Sequence, residues 1–180
     1  MKEEERPVRS LNDTEIKKML KATEPYPSMK IRVLLALATG LRRGDIDSLK
    51  ISDVDFEKNS IATKSRKTKK SMASRPVSAE VIAELLKYVC SLDVGQEKLF
   101  STKFNHRKWR KICQSSGLVD LKFHDLRKTF CSLLAQNGVS TAVTQRLLEH
   151  SSLNLTNKIY TNVDPVLRSA VEQLPVGEWL

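Results

Sequence analysis

After Ser28 the chain reads MKIRVLLALATG, a nearly unbroken apolar run that Gly40 stops. A helix that is apolar on almost every side has no wet face to offer. It must lie in the middle of a domain, with the other elements packed around it. The rest of the sequence supplies such elements. Asn12, with Glu15 three residues on, predicts a helix start, and Ile16, Met19 and Leu20 give that helix its apolar spacing. The helical rhythm breaks in ISDVDFEKNSIATKSRKTKKSMASRPVS, where Val54 and Phe56, Ile61 and Thr63, and Ser74 to Val77 predict three short antiparallel strands. The basic run Lys64 to Lys70 falls at a turn of this small sheet. Helix resumes after Ser78 in AEVIAELLKYVCSL and again in NHRKWRKICQSS, and three or four short helices fill His124 to Leu174. The expected fold is mostly α with a small three-stranded antiparallel sheet. At 180 residues it makes one ordinary domain. Residues 1–10 read as a charged linker, residues 11–174 as the domain and residues 175–180 as a tail.

Charge narrows the possible partners. The 31 Lys+Arg against 21 Asp+Glu leave a net +10, which points to a polyanion and first of all to nucleic acid. Cys90, Cys113 and Cys131 are odd in number and widely spaced, the pattern of reduced thiols and not of a disulfide framework or zinc site. No apolar run approaches the roughly 20 residues that cross a membrane, and MKEEERPVRS lacks the apolar segment of a secretory signal. A cytoplasmic protein is expected, associated with the nucleoid in a prokaryote.

Three stretches carry candidate chemistry. In TGLRRGD, Arg42 follows the central helix, so its guanidinium can be held rigidly for a bidentate grip on phosphate. Asp45 stands three residues on and can orient it. A solvated arginine after a helix is the plain alternative. In FHDLRKTF, His124 and Arg127 share a helical face while Leu126 and Phe130 point elsewhere. An imidazole beside a fixed guanidinium suits phosphoryl chemistry, although an isolated H-x-x-R is more often a solvated surface. In LEHSSLNLTNKIYT, Tyr160 comes ten residues after His150. His124 and His150 have no carboxylate or thiol at ligand spacing to complete a metal site, so neither metal nor cofactor is expected.

TGLRRGDI, HDLR and LLEHSSLNLTNKIYTNV stand in an order and at intervals that together resemble the catalytic domain of the tyrosine recombinases, the phage-integrase family. The resemblance runs from about Leu11 to Leu174. It implies that Tyr160 is a nucleophile that attacks a DNA phosphodiester and that His150 helps to hold the phosphate. Arg42 and Arg127 match two arginines that clamp the non-bridging oxygens. His124 matches an acid/base histidine, and Asp45 the acid that supports the first arginine. The family also places a lysine on a β-hairpin, where it protonates the leaving 5′-oxygen. Lys64, Lys67, Lys69 and Lys70 are the candidates, and Lys67 in KTKK fits best. Glu149 and Lys128 stand where the family often has a glycine and a histidine or arginine, and neither departure removes a reacting atom. Members usually carry an N-terminal DNA-clamping domain, which this chain is expected to lack.

The implied chemistry needs no cofactor. Two guanidiniums and an imidazole can neutralise the charge of a pentacoordinate phosphorus, a task often given to magnesium. The expected partners are double-stranded DNA and other protomers assembled on it, with no membrane and a monomeric free chain. Lys64, Lys69 and Lys70 in the hairpin, and Lys103, Arg107, Lys108, Arg110 and Lys111 around Trp109, are expected along the DNA backbone. A type IB topoisomerase, which relaxes supercoils by the same chemistry, and a catalytically silent DNA-binding module are the rival readings. In the tail, Asp164 and Pro165 predict a helix start, with Val166, Ala170, Val171 and Leu174 as its apolar stripe. That segment, with Trp179, is expected either on a neighbouring protomer or against its own domain.

Overall fold

The computed structural model describes residues 9–64, 72–149 and 164–180, without the side chains of Lys64, Met72, Ala73, Glu149 and Asp164. Nine α-helices and three strands follow one another among these residues, and the mostly helical architecture with a small antiparallel sheet agrees with the expectation. Helix α1 (Asp13–Thr23) starts on a capping box: Asn12 Oδ1 accepts from Glu15 N at 2.9 Å and Glu15 Oε2 from Asn12 N at 3.0 Å. Helix α2 (Pro27–Thr39) is the centre, with Val33, Leu34, Leu35 and Leu37 wholly buried. Around it pack α1, α3 (Arg43–Asp47), α4 (Ala79–Cys90) and α6 (Phe123–Gln136).

One residue of the central run is charged and buried. Arg32, 1% exposed, donates to Asp47 Oδ1 at 2.7 Å, to Ser28 O at 3.1 Å and to Thr102 O at 2.5 Å. Its guanidinium also lies 3.9 Å from the centroid of the Phe100 ring. A buried charge survives only when its donors are used, and here they fasten α3 and the loop near Thr102 to the core helix.

The sheet has the order β1 (Val54–Asp55), β2 (Ser60–Lys64), β3 (Met72–Pro76), with both pairs antiparallel and Ile61 opposite Arg75. Helices α5 (His106–Ser115), α7 (Thr141–Glu149) and α8 (Asp164–Glu172) complete the domain, and the short α9 (Val176–Trp179) packs on α1 and α4. Ala170, Val171 and Leu174 are buried as expected of the tail stripe, but Leu167 takes the place of Val166 at its start. Leu167 is buried, whereas Val166 is 51% exposed. The spacing of three, four and seven residues from Leu167 is that of one helical face, and Val166 falls outside it. Trp179 is buried in its own domain, its Nε1 3.4 Å from Asp13 Oδ1, so the tail docks in cis. No described helix is long and apolar enough to cross a membrane.

Gly40 closes α2 in the left-handed conformation (φ +62°), and its N–H returns to Ala36 O at 3.1 Å. A Cβ there would stand 2.5 Å from Phe130 Cδ1 and 2.9 Å from Leu148 Cδ2. Gly40→Ala therefore combines a disfavoured backbone with overpacking, each worth roughly 1–3 kcal/mol. We expect denaturant unfolding to register a loss of about 2–5 kcal/mol, and a loss under about 1 kcal/mol would contradict the close approach.

Candidate active site

Two helix ends and one helix start meet beside Gly40. The chain leaves α2 there, buries Leu41, and presents Arg42 in extended backbone just ahead of α3, with its side chain exposed. Arg42 is exposed there and lines a cleft. The Arg32–Asp47 ion pair holds the far end of α3.

Helix α6 supplies the opposite wall. Asp125, 7% exposed, accepts from Lys122 N at 2.9 Å and pairs with Lys128 Nζ at 3.0 Å, which fixes the first turn. Burial alone would raise the pKa of this carboxyl. The Lys122 N–H and the Lys128 ammonium outweigh it and hold it below the usual carboxylate range. His124 beside it is exposed, and Arg127 one turn later is half-buried, while Leu126 and Phe130 are wholly buried behind them. The expected split of faces is therefore realised.

Arg42, His124 and Arg127 line one cleft of about 660 Å³. Phe104, Trp109 and Phe123 give it an apolar floor, with the rings of Trp109 and Phe123 5.3 Å apart between centroids. Arg127 spends Nη1 on the carbonyl of Gly40 and reaches Leu148 O with Nη2 at 3.4 Å. Burial lowers its pKa and the Arg42 charge adds to the effect, while Asp45 acts in the opposite sense. An arginine guanidinium stays charged at neutral pH even so. The cleft thus offers two cations and an imidazole over an apolar base, a setting that favours an oxyanion.

Lys67, Lys69, Lys70, His150 and Tyr160 lie outside the described residues, and Lys64 ends β2 with its side chain outside them. On α5, Trp109, Ile112 and Cys113 are buried, while Arg107, Lys108, Arg110 and Lys111 are exposed on the other face. Lys103 lines a second cleft of about 680 Å³ that shares Arg43, Gly44, Phe104 and His106 with the first.

Sequence reasoning missed two features. Arg43 Nη1 lies 3.4 Å from His106 Nε2, and its guanidinium 5.0 Å from the Phe104 ring, so this pair forms the ridge between the clefts. The second is Arg75 on β3, 5% exposed, which donates Nη1 to the carbonyl of Leu147 and approaches Thr39 O at 3.5 Å. Burial, with the charges of Arg127 and Arg42, lowers its pKa to about 10 against the pull of Asp45. Its place opposite the buried Ile61 was the available signal, and only the strand register discloses it.

Comparison with known proteins bears on this arrangement. The model of the phage integrase family matches residues 9–166. A tyrosine recombinase XerA of Pyrococcus furiosus is 32% identical over 180 residues, with 92% of this chain and 61% of that protein covered. A tyrosine recombinase XerC-like protein of Caldanaerobacter subterraneus is 28% identical, with 93% and 54% covered. The crystal structure of a XerA recombinase superimposes with a TM-score of 0.69 at 28% identity, covering 92% of this chain and 64% of that one. The chain spans 54% and 61% of the length of these two curated relatives, less than two thirds of either.

Proposed function

The chain belongs to the phage integrase family, and on that premise we propose that it cleaves and rejoins double-stranded DNA through a covalent 3′-phosphotyrosine. The observation that carries the reading is the cleft in which Arg42, from the end of α2, meets His124 and Arg127, from the start of α6. These residues are far apart in sequence, and two guanidiniums facing one opening make a receptor for a phosphodiester.

The phenolic oxygen of Tyr160 attacks phosphorus and its proton passes to His124. The bond from phosphorus to the 5′-oxygen breaks, and that oxygen takes a proton from Lys67. Arg42 and Arg127, with His150, hold the non-bridging oxygens while charge accumulates. The phosphotyrosine bond conserves energy, so a 5′-hydroxyl of another strand reverses the step without ATP and releases the tyrosine. Asp45 supports the clamp, as its influence on Arg127 suggests. The exposed cations of α5, with those of the hairpin, follow the DNA backbone. Assembly on DNA supplies the partner protomers, the free chain is a monomer, and the reaction belongs to the cytoplasm.

A nicked suicide duplex tests this directly. The short fragment bearing the new 5′-hydroxyl diffuses away after cleavage and traps the intermediate. We expect a protein–DNA adduct that survives denaturation and is removed by protease. Bound DNA without any adduct overturns the proposal.

A further inference from the structure

Two arginines from different elements fasten the same two helix ends. Arg127, on α6, reaches the carbonyls of Gly40 and Leu148. Arg75, on β3, reaches those of Thr39 and Leu147, the residues immediately before each. The end of α2 sets the position of Arg42, two residues beyond Gly40. The end of α7, at Glu149, immediately precedes His150 in the sequence.

The two arginines differ in access. Arg127 lines the cleft and is half-buried. Arg75 is 5% exposed and is not among the residues that line the cleft. Its Nε–H is buried without a hydrogen-bond partner among the described residues. Burying a guanidinium with a donor left over is costly, and a well-packed apolar side chain would serve a merely structural role better.

Resting on the reading above, we propose that Arg75 is a positioning residue of the phosphate clamp, holding the ends of α2 and α7 together while Arg127 turns toward DNA. Arg127 has both terminal nitrogens of its fork on backbone carbonyls, so presenting that end of the fork to a phosphate turns it away from them. When it turns, its own bonds to Gly40 and Leu148 weaken. The neighbouring carbonyls remain tied by a cation that the DNA cannot reach, so Arg42 and the end of α7 keep their spacing. The Arg75 charge adds to the positive potential of the cleft from behind and touches no phosphate.

The test uses the complete 180-residue chain, a nicked suicide duplex and the variants Arg75→Lys, Arg75→Met, Arg127→Lys and the double lysine variant. Lysine keeps the charge and loses the planar fork. Single-turnover adduct formation is read on prebound DNA, with Kd and circular dichroism measured alongside. We expect Arg75→Lys to slow adduct formation by about 30- to 100-fold, the scale of a misplacement near 1 Å. DNA affinity should change by less than about threefold, since no phosphate contact is lost. The double lysine variant should be slower than Arg127→Lys alone by at least the Arg75→Lys factor, because Arg75 is then the remaining tie between the two helix ends.

A double variant no slower than Arg127→Lys alone overturns the proposal, and so does an unchanged rate in Arg75→Lys. A large loss of affinity with a reduced salt slope in Arg75→Met would put Arg75 on the DNA itself and equally overturn it. Failure of Arg75→Lys to fold would make the residue a determinant of the fold alone, and the proposal would fall with it. A wild-type chain that binds DNA and forms no adduct removes the functional reading, a result distinct from all of these.

Discussion

A Tyr160→Phe chain is expected to bind DNA as the wild type does and to form no covalent adduct with the suicide duplex. Loss of an attacking oxygen leaves no route to the intermediate. The rate should fall by more than about a thousandfold, the scale on which nucleophile deletions act in enzymes of covalent catalysis. Equal adduct formation by both chains would mean that another residue attacks. Indistinguishable behaviour in every DNA assay, without any adduct, would favour a silent DNA-binding module. Relaxation of supercoils by the wild type without joining of two sites would favour the topoisomerase reading.

Arg127→Ala should damage two properties at once. Deleting a preorganised donor from an oxyanion site costs about 10²–10³ in rate, and the loss should appear in adduct formation more than in DNA affinity. The carbonyls of Gly40 and Leu148 also lose their donor. Leaving such groups unsatisfied costs about 1–3 kcal/mol, which chemical denaturation can measure. A stability loss with an unchanged rate would reduce Arg127 to a structural tie and detach it from the chemistry.

Local signals in the sequence carried most of the fold. The capping pair Asn12 and Glu15, the apolar run after Ser28 and the Gly40 stop each act within a few residues, so periodicity and caps sufficed. The strands were found for the same reason, with limits differing by a residue or two. Val166 was read into the stripe of α8 in place of Leu167 because both are apolar, although the spacing to Ala170, Val171 and Leu174 favours Leu167, the one that is buried.

In the site, Arg42, His124 and Arg127 were legible because they sit in short motifs. Arg75 was not. Its importance comes from lying opposite Ile61 in a particular register and against two helix ends distant in sequence. Composition contains none of that information. Arg32 was hidden for the opposite reason, since one charge in an apolar run reads as an interruption until Asp47 and the Thr102 carbonyl are seen to receive it.

The gathering of Arg42, Arg75 and Arg127 has a thermodynamic side. Beyond the effect of burial, Arg75 loses proton affinity to the charges of Arg127 and Arg42, and half-buried Arg127 to that of Arg42. That repulsion is present whenever the cleft is empty, and a divalent anion entering the cleft relieves it. Occupancy and folding are therefore linked equilibria, and the occupant shifts the melting curve in proportion to how well it binds. Buffer sulfate or phosphate would stabilise the protein and compete with DNA by the same contact. Conditions chosen to preserve this domain in storage are thus expected to weaken whatever else binds in the cleft.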